Sequence, residues 1–442
     1  MNSAVLDERE FSKQLNQNNQ KTFLKMIENY EKSIAPSMRA QGYKRINQKE
    51  RTVIFSFGEM TFSRSRWKKD DTIRIPVDEK LGLEPRSRFS QELLYQLTKL
   101  ANFMPYRKVV SVLELLKQIY ITKNTVQRAL DKAGELLVAK EEYDNLALLE
   151  DMEKTKPEIL YIEGDSLWVK RSHPEKQKKS MELTHFVVHT GSKPGKRNIL
   201  MDKLEVVSTK HKKAKEQLID LIYQHYEVTS DTIIITNSDG GIGYSPDYFK
   251  ELVAGFKPGE HHHFWDAFHV NQALKTNLRM SSELTEKAFR AIYKRDKTSL
   301  NVILDTAESL IETEEQLENF KRFKRQLVRN FKYTEKPDSR GLPTGGIGII
   351  ESLHRKISYR MKNAGMYWSE RGADTMSRTI LLNAQGTLRD LFFGEWQHEY
   401  EKIQSVEDLS SADLSFSPKV DHTIPQLTHP IGRYLPKLGF NL

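Results

Sequence analysis

The sequence predicts an α/β protein with a mixed sheet in the middle of the chain and helical regions before and after it. Three observations predict it. Thr232-Ile233-Ile234-Ile235-Thr236 is a continuous apolar run, as a strand buried on both faces requires. Residues 212–226 place Ala214, Leu218, Leu221, Ile222 and Tyr226 at the spacing of an amphipathic helix. Around them the order reads three strands, helix, strand, helix, strand.

At 442 residues the chain exceeds one ordinary core, so two or three domains are expected. Hydrophobic content of 38% with 29% charged residues fits a globular protein, and no apolar run approaches the roughly 18 to 20 residues that cross a bilayer. The start, MNSAVLDEREFSKQ, is acidic and polar and does not read as a secretory signal. There are no cysteines, which excludes disulfides, thiolate metal sites and cysteine nucleophiles and suits a cytoplasmic setting. A net charge of +9 favours a polyanionic partner.

In order, residues 1–50 read as a helical segment, with FLKMIENYEKSI spaced near 3.6. TVIFSFGEMTFSRSRW alternates on either side of Gly58, a short β-hairpin within 51–85. Residues 86–150 read as helices. Ser90 opens one, FMPYRKVVSVLELLKQI supplies another, and after a break at Tyr120 a third carries Lys123, Asn124, Thr125, Gln127 and Arg128. A short polar turn before such a helix is what a helix-turn-helix DNA reader needs, because these side chains can meet phosphates and base edges. An ordinary bundle with a solvated face has the same pattern.

A catalytic core is expected from 155 to 270. Glu158–Glu163 is a strand ending at Gly164-Asp165; SLWVK and LTHFVVHT are two more, with a polar loop across 171–180. The apolar run ends at Ser238-Asp239-Gly240-Gly241, followed by a helix near 246–254 and a strand near 261–266. Residues 271–340 read as helical. A glycine-rich break then precedes a helix from about 349 in the segment 341–395, and 396–442, with four prolines late in it, reads as a loosely ordered tail.

Asp165 and Asp239 sit where strands end, and ends of neighbouring strands converge. Carboxylates are the hard ligands that Mg²⁺ or Mn²⁺ take, and two such ions serve phosphoryl transfer. Either aspartate could instead simply start a turn. Glu351 opens the helix after the glycine-rich break and shares a face with Arg355, an arrangement that also suits a surface ion pair. Glu370 is the alternative third carboxylate. Asp266 and His269 form an Asp-x-x-His pair on one helical turn, placed to bind scissile DNA, hold a flipped base or support a ligand; a buried, hydrogen-bonded histidine is the plainer reading. His261-His262-His263 cannot all face one site from a strand.

Four segments, Tyr161–Asp165, Asn237–Gly241, Phe264–His269 and Arg360–Ser369, together resemble the ISLre-two family of bacterial insertion-sequence transposases, nearly end to end. The Asp-x-x-His element is similar to the Cys/Asp-x-x-His signature of Mutator-like transposases. The resemblance implies an RNase H-like fold with an Asp, Asp, Glu triad at Asp165, Asp239 and Glu351, interrupted by a helical insertion over 270–340; the 112 residues from 239 to 351 accommodate one. It implies two Mg²⁺ or Mn²⁺ ions, and DNA cleavage and strand transfer on double-stranded DNA (terminal inverted repeats and target DNA). It also implies a homo-oligomer, at least dimeric in the synaptic complex, and a cytoplasmic, nucleoid-associated location in a bacterium. Lys170, Arg171, Arg355 and Lys362 are the expected phosphate neighbours. A nuclease or resolvase that cuts without joining, or a catalytically inactive DNA-binding regulator, would share the fold.

Overall fold

The computed structural model describes residues 7–147, 153–172, 178–193, 199–241, 243–343, 346–363 and 365–413. The chain divides into two compact units, residues 1–140 with 382–402 and residues 141–381 with 403–442.

In the first unit, α1 (Glu8–Ala40) starts at Asp7, whose carboxylate accepts from the Arg9 and Glu10 N–H groups. It packs on an antiparallel sheet of β1 (Lys44–Phe55), β2 (Gly58–Lys69) and β3 (Thr72–Arg74). Ile27, Val53, Phe55, Met60 and Phe62 form the core, with Val77 of α2 (Pro76–Lys80). The hairpin is longer than expected: β1 begins at Lys44, in the stretch read as helical. Apart from Ile46 its first seven residues are polar; they are mostly exposed and pair with the largely polar end of β2, as in Lys49 opposite Arg64. Three further helices follow, α3 (Gln91–Ala101), α4 (Tyr106–Lys117) and α5 (Lys123–Ala147), with Gln118 in the left-handed region (φ 54) between the last two. Lys123, Asn124, Gln127 and Arg128 are exposed on α5. Thr125 is not: with Val126, Ala129 and Leu130 it forms the buried stripe of the helix, so it leaves the set of expected DNA-binding side chains. The helix Leu388–Phe393, expected with the catalytic core, packs on α3, where Arg389 pairs with Glu92 at 3.0 Å.

The second unit is built on a five-stranded mixed sheet, in the order β10-β9-β4-β5-β8. Its elements are β4 (Ile159–Lys170), β5 (Ser180–His189), a ribbon of β6 (Gly191–Lys193) and β7 (Ile199–Met201), β8 (Leu204–Ser208), α6 (His211–His225), β9 (Ile233–Ser238), α7 (Pro246–Ala254) and β10 (Glu260–Trp265). β4, β5 and β8 run antiparallel, whereas β9 and β10 run parallel to β4. Three strands do precede α6 in this sheet, but they are not the expected three. The two segments around Asp165 are one continuous strand, β4, and the third strand is Leu204–Ser208. The reason is register. β4 loses its parallel partner after Gly164↔Ser238 but keeps its antiparallel partner β5 out to Lys170↔Ser180.

One face of this sheet buries Leu160, Ile162, Phe186, Val188 and Ile234 against α6 and α7. The other buries Tyr161, Ile235 and Phe264 beneath Leu342 and Ile347. Beyond β10, four helices share a separate core that includes Leu274, Leu300, Leu304, Phe320 and Leu327: α8 (Ala267–Asn277), α9 (Ser282–Tyr293), α10 (Lys297–Ser309) and α11 (Glu314–Arg329). α12 (Ile350–Met361) and α13 (Glu370–Gln385) complete the unit. Trp396–Asp413 is helical, a correction to the expected loose tail; residues 414–442 lie outside the described residues. Among the described residues, no helix is long and apolar enough to cross a membrane.

Gly164 is fixed by packing, since a Cβ there would lie 2.6 Å from the Phe186 ring. Gly164→Ala is therefore expected to destabilise the protein by about 1–3 kcal/mol, the usual cost of overpacking. The measure is the denaturant midpoint, and an unchanged midpoint refutes the packing account.

Candidate functional site

The parallel strands β9 and β10 end level with one another and with Gly164 inside β4, with Gly164 beside Ser238 and Ser238 beside Trp265. The next residue on each is an aspartate: Asp165, Asp239 and Asp266. The Asp266 N–H donates to Ser238 O (2.7 Å), and its carboxylate caps α8 by accepting from the Phe268 and His269 N–H groups. After Asp239 the chain turns through Gly240 at φ +73, where a Cβ would meet the Trp265 indole at 2.5 Å. Only glycine lets the turn lie so close to β10. Asp165 and Asp266 are buried, Asp239 half-buried.

Alternation along β4 puts Tyr161, Glu163 and Asp165 on one face. Glu163 is fully buried and accepts from three successive backbone N–H groups, those of Gly348 (3.0 Å), Ile349 (2.9 Å) and Ile350 (3.3 Å). These are the unpaired donors at the start of α12, where the helix dipole also favours an anion. The first turn of α12 thereby lies over β4. His354 Nδ1 is 3.7 Å from Asp165 Oδ2 and 3.6 Å from Glu351 Oε2. One ligand atom from each of Asp165, Glu351 and His354 lies within 4.8 Å of the others. His354 is buried, while the Glu351 side chain is 57% exposed and opens the cluster to solvent. Further along α12, Lys356 reaches buried Glu205 at 2.6 Å, and Glu205 also meets His185 (3.1 Å) and Lys203 (2.7 Å).

Of the expected residues, Asp165 and Glu351 are brought together with His354, Asp239 is near enough for its charge to act on Asp165, and Asp266 follows β10 with His269 Nδ1 3.7 Å from it. Glu370 is not part of the cluster: it opens α13 and faces Arg171 at 3.7 Å. Lys170 lies over the Tyr367 ring at 5.7 Å, and Arg355 and Lys362 are exposed on α12. The histidine triplet splits as a strand dictates. His261 and His263 share Thr236 Oγ1 (2.9 and 2.8 Å), while His262 meets Glu260. Sequence reasoning missed Glu163 and His354. The signals were there: Glu163 is two residues before Asp165 on a strand, and His354 is three after Glu351 on a helix.

Burial, then the charge of Asp239, pushes the Asp165 carboxyl up to about 7, against the Ser166 N–H and His269. The neighbouring Asp266 carboxylate, with Asp165 and Asp239, pushes His269 up to about 9 despite burial, so it is an imidazolium at neutral pH. Burial, with His185 and Lys362 nearby, pushes His354 down to about 3, leaving a neutral imidazole beside the carboxylates. The cluster thus holds more negative charge than its own cation offsets. A divalent ion relieves that condition, and oxygen donors with one imidazole suit Mg²⁺ or Mn²⁺. The site is a buried carboxylate–histidine cluster able to hold a metal ion.

This chain belongs to the uncharacterised protein family UPF0236, whose model matches residues 3–399. It is 29% identical over 411 residues to a UPF0236 protein in the vanSb 3′ region of Streptococcus gallolyticus, covering 92% of this chain and 88% of that one. It is 22% identical over 362 residues to a UPF0236 protein of Caldanaerobacter subterraneus subsp. tengcongensis whose name joins eleven TTE designations, covering 79% of this chain and 71% of that one. A solved structure, the Drosophila P element transposase strand transfer complex, matches at 11% identity and a TM-score of 0.23, over 71% of this chain and 83% of that one. That likeness is too slight to bear on fold or function.

Two measurements probe the site. An unfolded aspartate titrates near 3.9, whereas Asp165 titrates near 7 in the fold, so the folded state binds the extra proton between these values. Its ionisation therefore costs stability as pH rises from about 4 through about 7. Asp165→Asn in EDTA is expected to melt above the parent at about pH 8 and to lose that advantage near pH 4. A melting difference that ignores pH overturns the assignment. Separately, Glu163→Gln keeps the volume but removes the charge that fixes α12, and Mn²⁺ affinity by calorimetry is expected to fall roughly 10- to 100-fold. Unchanged affinity would show that α12 is held by other means.

Proposed function

We propose that this chain is a transposase that cuts and joins DNA by metal-dependent phosphoryl transfer, acting on the ends of an insertion sequence. The observation that carries the reading is the cluster of Asp165, from the middle of β4, with Glu351 and His354 of α12, beside Asp239 where the parallel strand β9 ends. Three antiparallel strands followed by two parallel ones, in the order β8-β5-β4-β9-β10, suit an RNase H-like sheet. The helices α8–α11 between β10 and α12 fit an inserted domain. The eleven designations borne by the Caldanaerobacter relative suit a sequence present in many copies, and copying a sequence around a genome is what a transposase does.

Asp165, Asp239 and Glu351 would hold two Mg²⁺ or Mn²⁺ ions, with His354 as a further ligand. Such ions, when bound, activate an attacking oxygen and stabilise the leaving one. His269, a cation held by Asp266, steadies the negative cluster and presents a positive charge towards phosphate. Arg355, Lys362 and Lys170 are exposed for phosphate contacts; Arg171 keeps one partner in Glu370. In the first unit, α4 and α5 form the helix-turn-helix, reading terminal inverted repeats through Lys123, Asn124, Gln127 and Arg128. Two ends must be held at once, so the working form is at least a dimer.

The test is a strand-transfer assay with labelled terminal DNA and a supercoiled target. The parent is expected to cut and join with Mg²⁺ or Mn²⁺. Asp165→Ala and Asp239→Ala should lose both activities while still binding terminal DNA. Cutting without joined product would assign a nuclease instead, and activity surviving both substitutions would dismiss the cluster as catalytic.

A further inference from the structure

α12 has two faces. Ile350, His354, Ile357 and Met361 are buried, whereas Glu351, Arg355, Tyr359 and Lys362 recur at steps of four, four and three residues along the opposite, exposed stripe. The stripe starts at the acidic cluster and, at 1.5 Å per residue, reaches about 16 Å from it by Lys362. Tyr359 is 71% exposed, a large aromatic side chain left in water. Past the helix, Tyr367 is 61% exposed with the Lys170 ammonium 5.7 Å from its ring centroid. The Tyr367 segment is fastened to the end of β4, since the Trp368 N–H donates to Lys170 O (3.0 Å) and the Ser172 N–H to Trp368 O (2.9 Å). Exposed cations alternating with exposed aromatic side chains, on a helix that begins at the acidic cluster and on the segment that follows it, have the chemistry of a track for an unpaired nucleic-acid strand. Phosphates meet the cations, and bases stack on the rings. A duplex cannot use the rings, because its bases are already stacked inside.

We infer that the outer face of α12, continued by Tyr367 and Lys170, binds an unpaired DNA strand leaving the acidic cluster, stacking bases on Tyr359 and Tyr367. This rests on the reading of the cluster as a DNA-processing centre, and it goes further by naming the form of DNA and the side chains that hold it. The track would separate the strands at a DNA end, keeping one of them out of the way of the reacting phosphate.

The full chain would be titrated, without divalent ions, against three fluorescent probes: an oligodeoxythymidine of about 20 nucleotides, a forked duplex and a blunt duplex. Tyr359→Ala with Tyr367→Ala is expected to weaken binding of the single strand and the fork by roughly tenfold or more, since stacking on one ring is worth about that much. Blunt-duplex binding should change less than about twofold, and Tyr359→Phe with Tyr367→Phe should bind as the parent does because the ring faces remain. Equal loss on all three probes, no loss on any, or a phenylalanine variant as weak as the alanine one would overturn the track. So would an alanine variant that binds every probe normally but changes oligomeric state, which would make the face a contact between copies. A parent that prefers single strands and forks yet never cuts terminal DNA would leave the track standing and remove the transposase reading.

Discussion

The site depends on one buried carboxylate. Glu163 has no exposure, and an ion so placed is costly unless its charge is met. Three N–H groups from the start of α12 meet it, and they are donors that the helix itself cannot use. The need is mutual. The helix end requires an acceptor and the carboxylate requires donors, and this arrangement satisfies both. Because Glu163 and Asp165 lie on the same face of the same strand, satisfying this demand also sets the distance from Asp165 to Glu351 and His354. The Glu205–Lys356 pair fastens the other half of the helix, so α12 is pinned to the sheet at two points.

The two carboxylate groupings behind α12 behave oppositely. Glu205 is surrounded by His185, Lys356 and Lys203, and although burial opposes it they hold its carboxyl well below the usual range. Its charge is complete within the protein. Among the described residues Asp165, Asp239, Asp266 and Glu351 have His269 as a matching cation, and burial, then the charge of Asp239, pushes Asp165 upward. The protein therefore neutralises acidic charge around Glu205 and leaves it uncompensated beside Glu351, the exposed member of the cluster. Such an imbalance, open to solvent on one side, is what distinguishes a binding site from a structural ion pair.

Asp165 and Asp239 stood out in the sequence because each is a carboxylate beside a glycine after an apolar run, although only Asp239 follows a strand end and Asp165 lies within β4. Glu351 was legible as the first acid on a helix after a glycine-rich break. Other features were hidden for identifiable reasons. Ending the strand at Gly164 severed the alternation that would have put Glu163 on the side of Asp165. Register against β5, which carries β4 on to Lys170, is a pairing property that no local pattern contains. The first half of β1 has no apolar alternation, so its partner strand alone defines it. Thr125 looked available because its neighbours are polar, yet helical geometry turns it inward with Val126 and Ala129. Glu370 was as good a candidate as Glu351 by type; only the placement of α13, beside Arg171, separates them.

The helices between β10 and α12 raise a geometric question, since a long excursion must return to the site without loosening it. Its departure is fixed by Asp266, which caps α8 at the sheet edge, and its return by Glu163, which caps α12. Just before that return the chain lies flat on the sheet: a Cβ on Gly346 would be 2.6 Å from the Tyr161 ring, and His189 stacks on the same tyrosine at 4.9 Å. Both ends of the excursion are thus secured by carboxylates close to the acidic cluster, Glu163 two residues before Asp165 and Asp266 directly after β10, the strand beside β9, and α8–α11 bury their own core. Closing a longer loop between two fixed points costs only a slowly growing entropy. Length between 267 and 343 therefore bears little on the cluster, whereas Glu163, bonded to the start of α12, bears directly on where Glu351 and His354 lie.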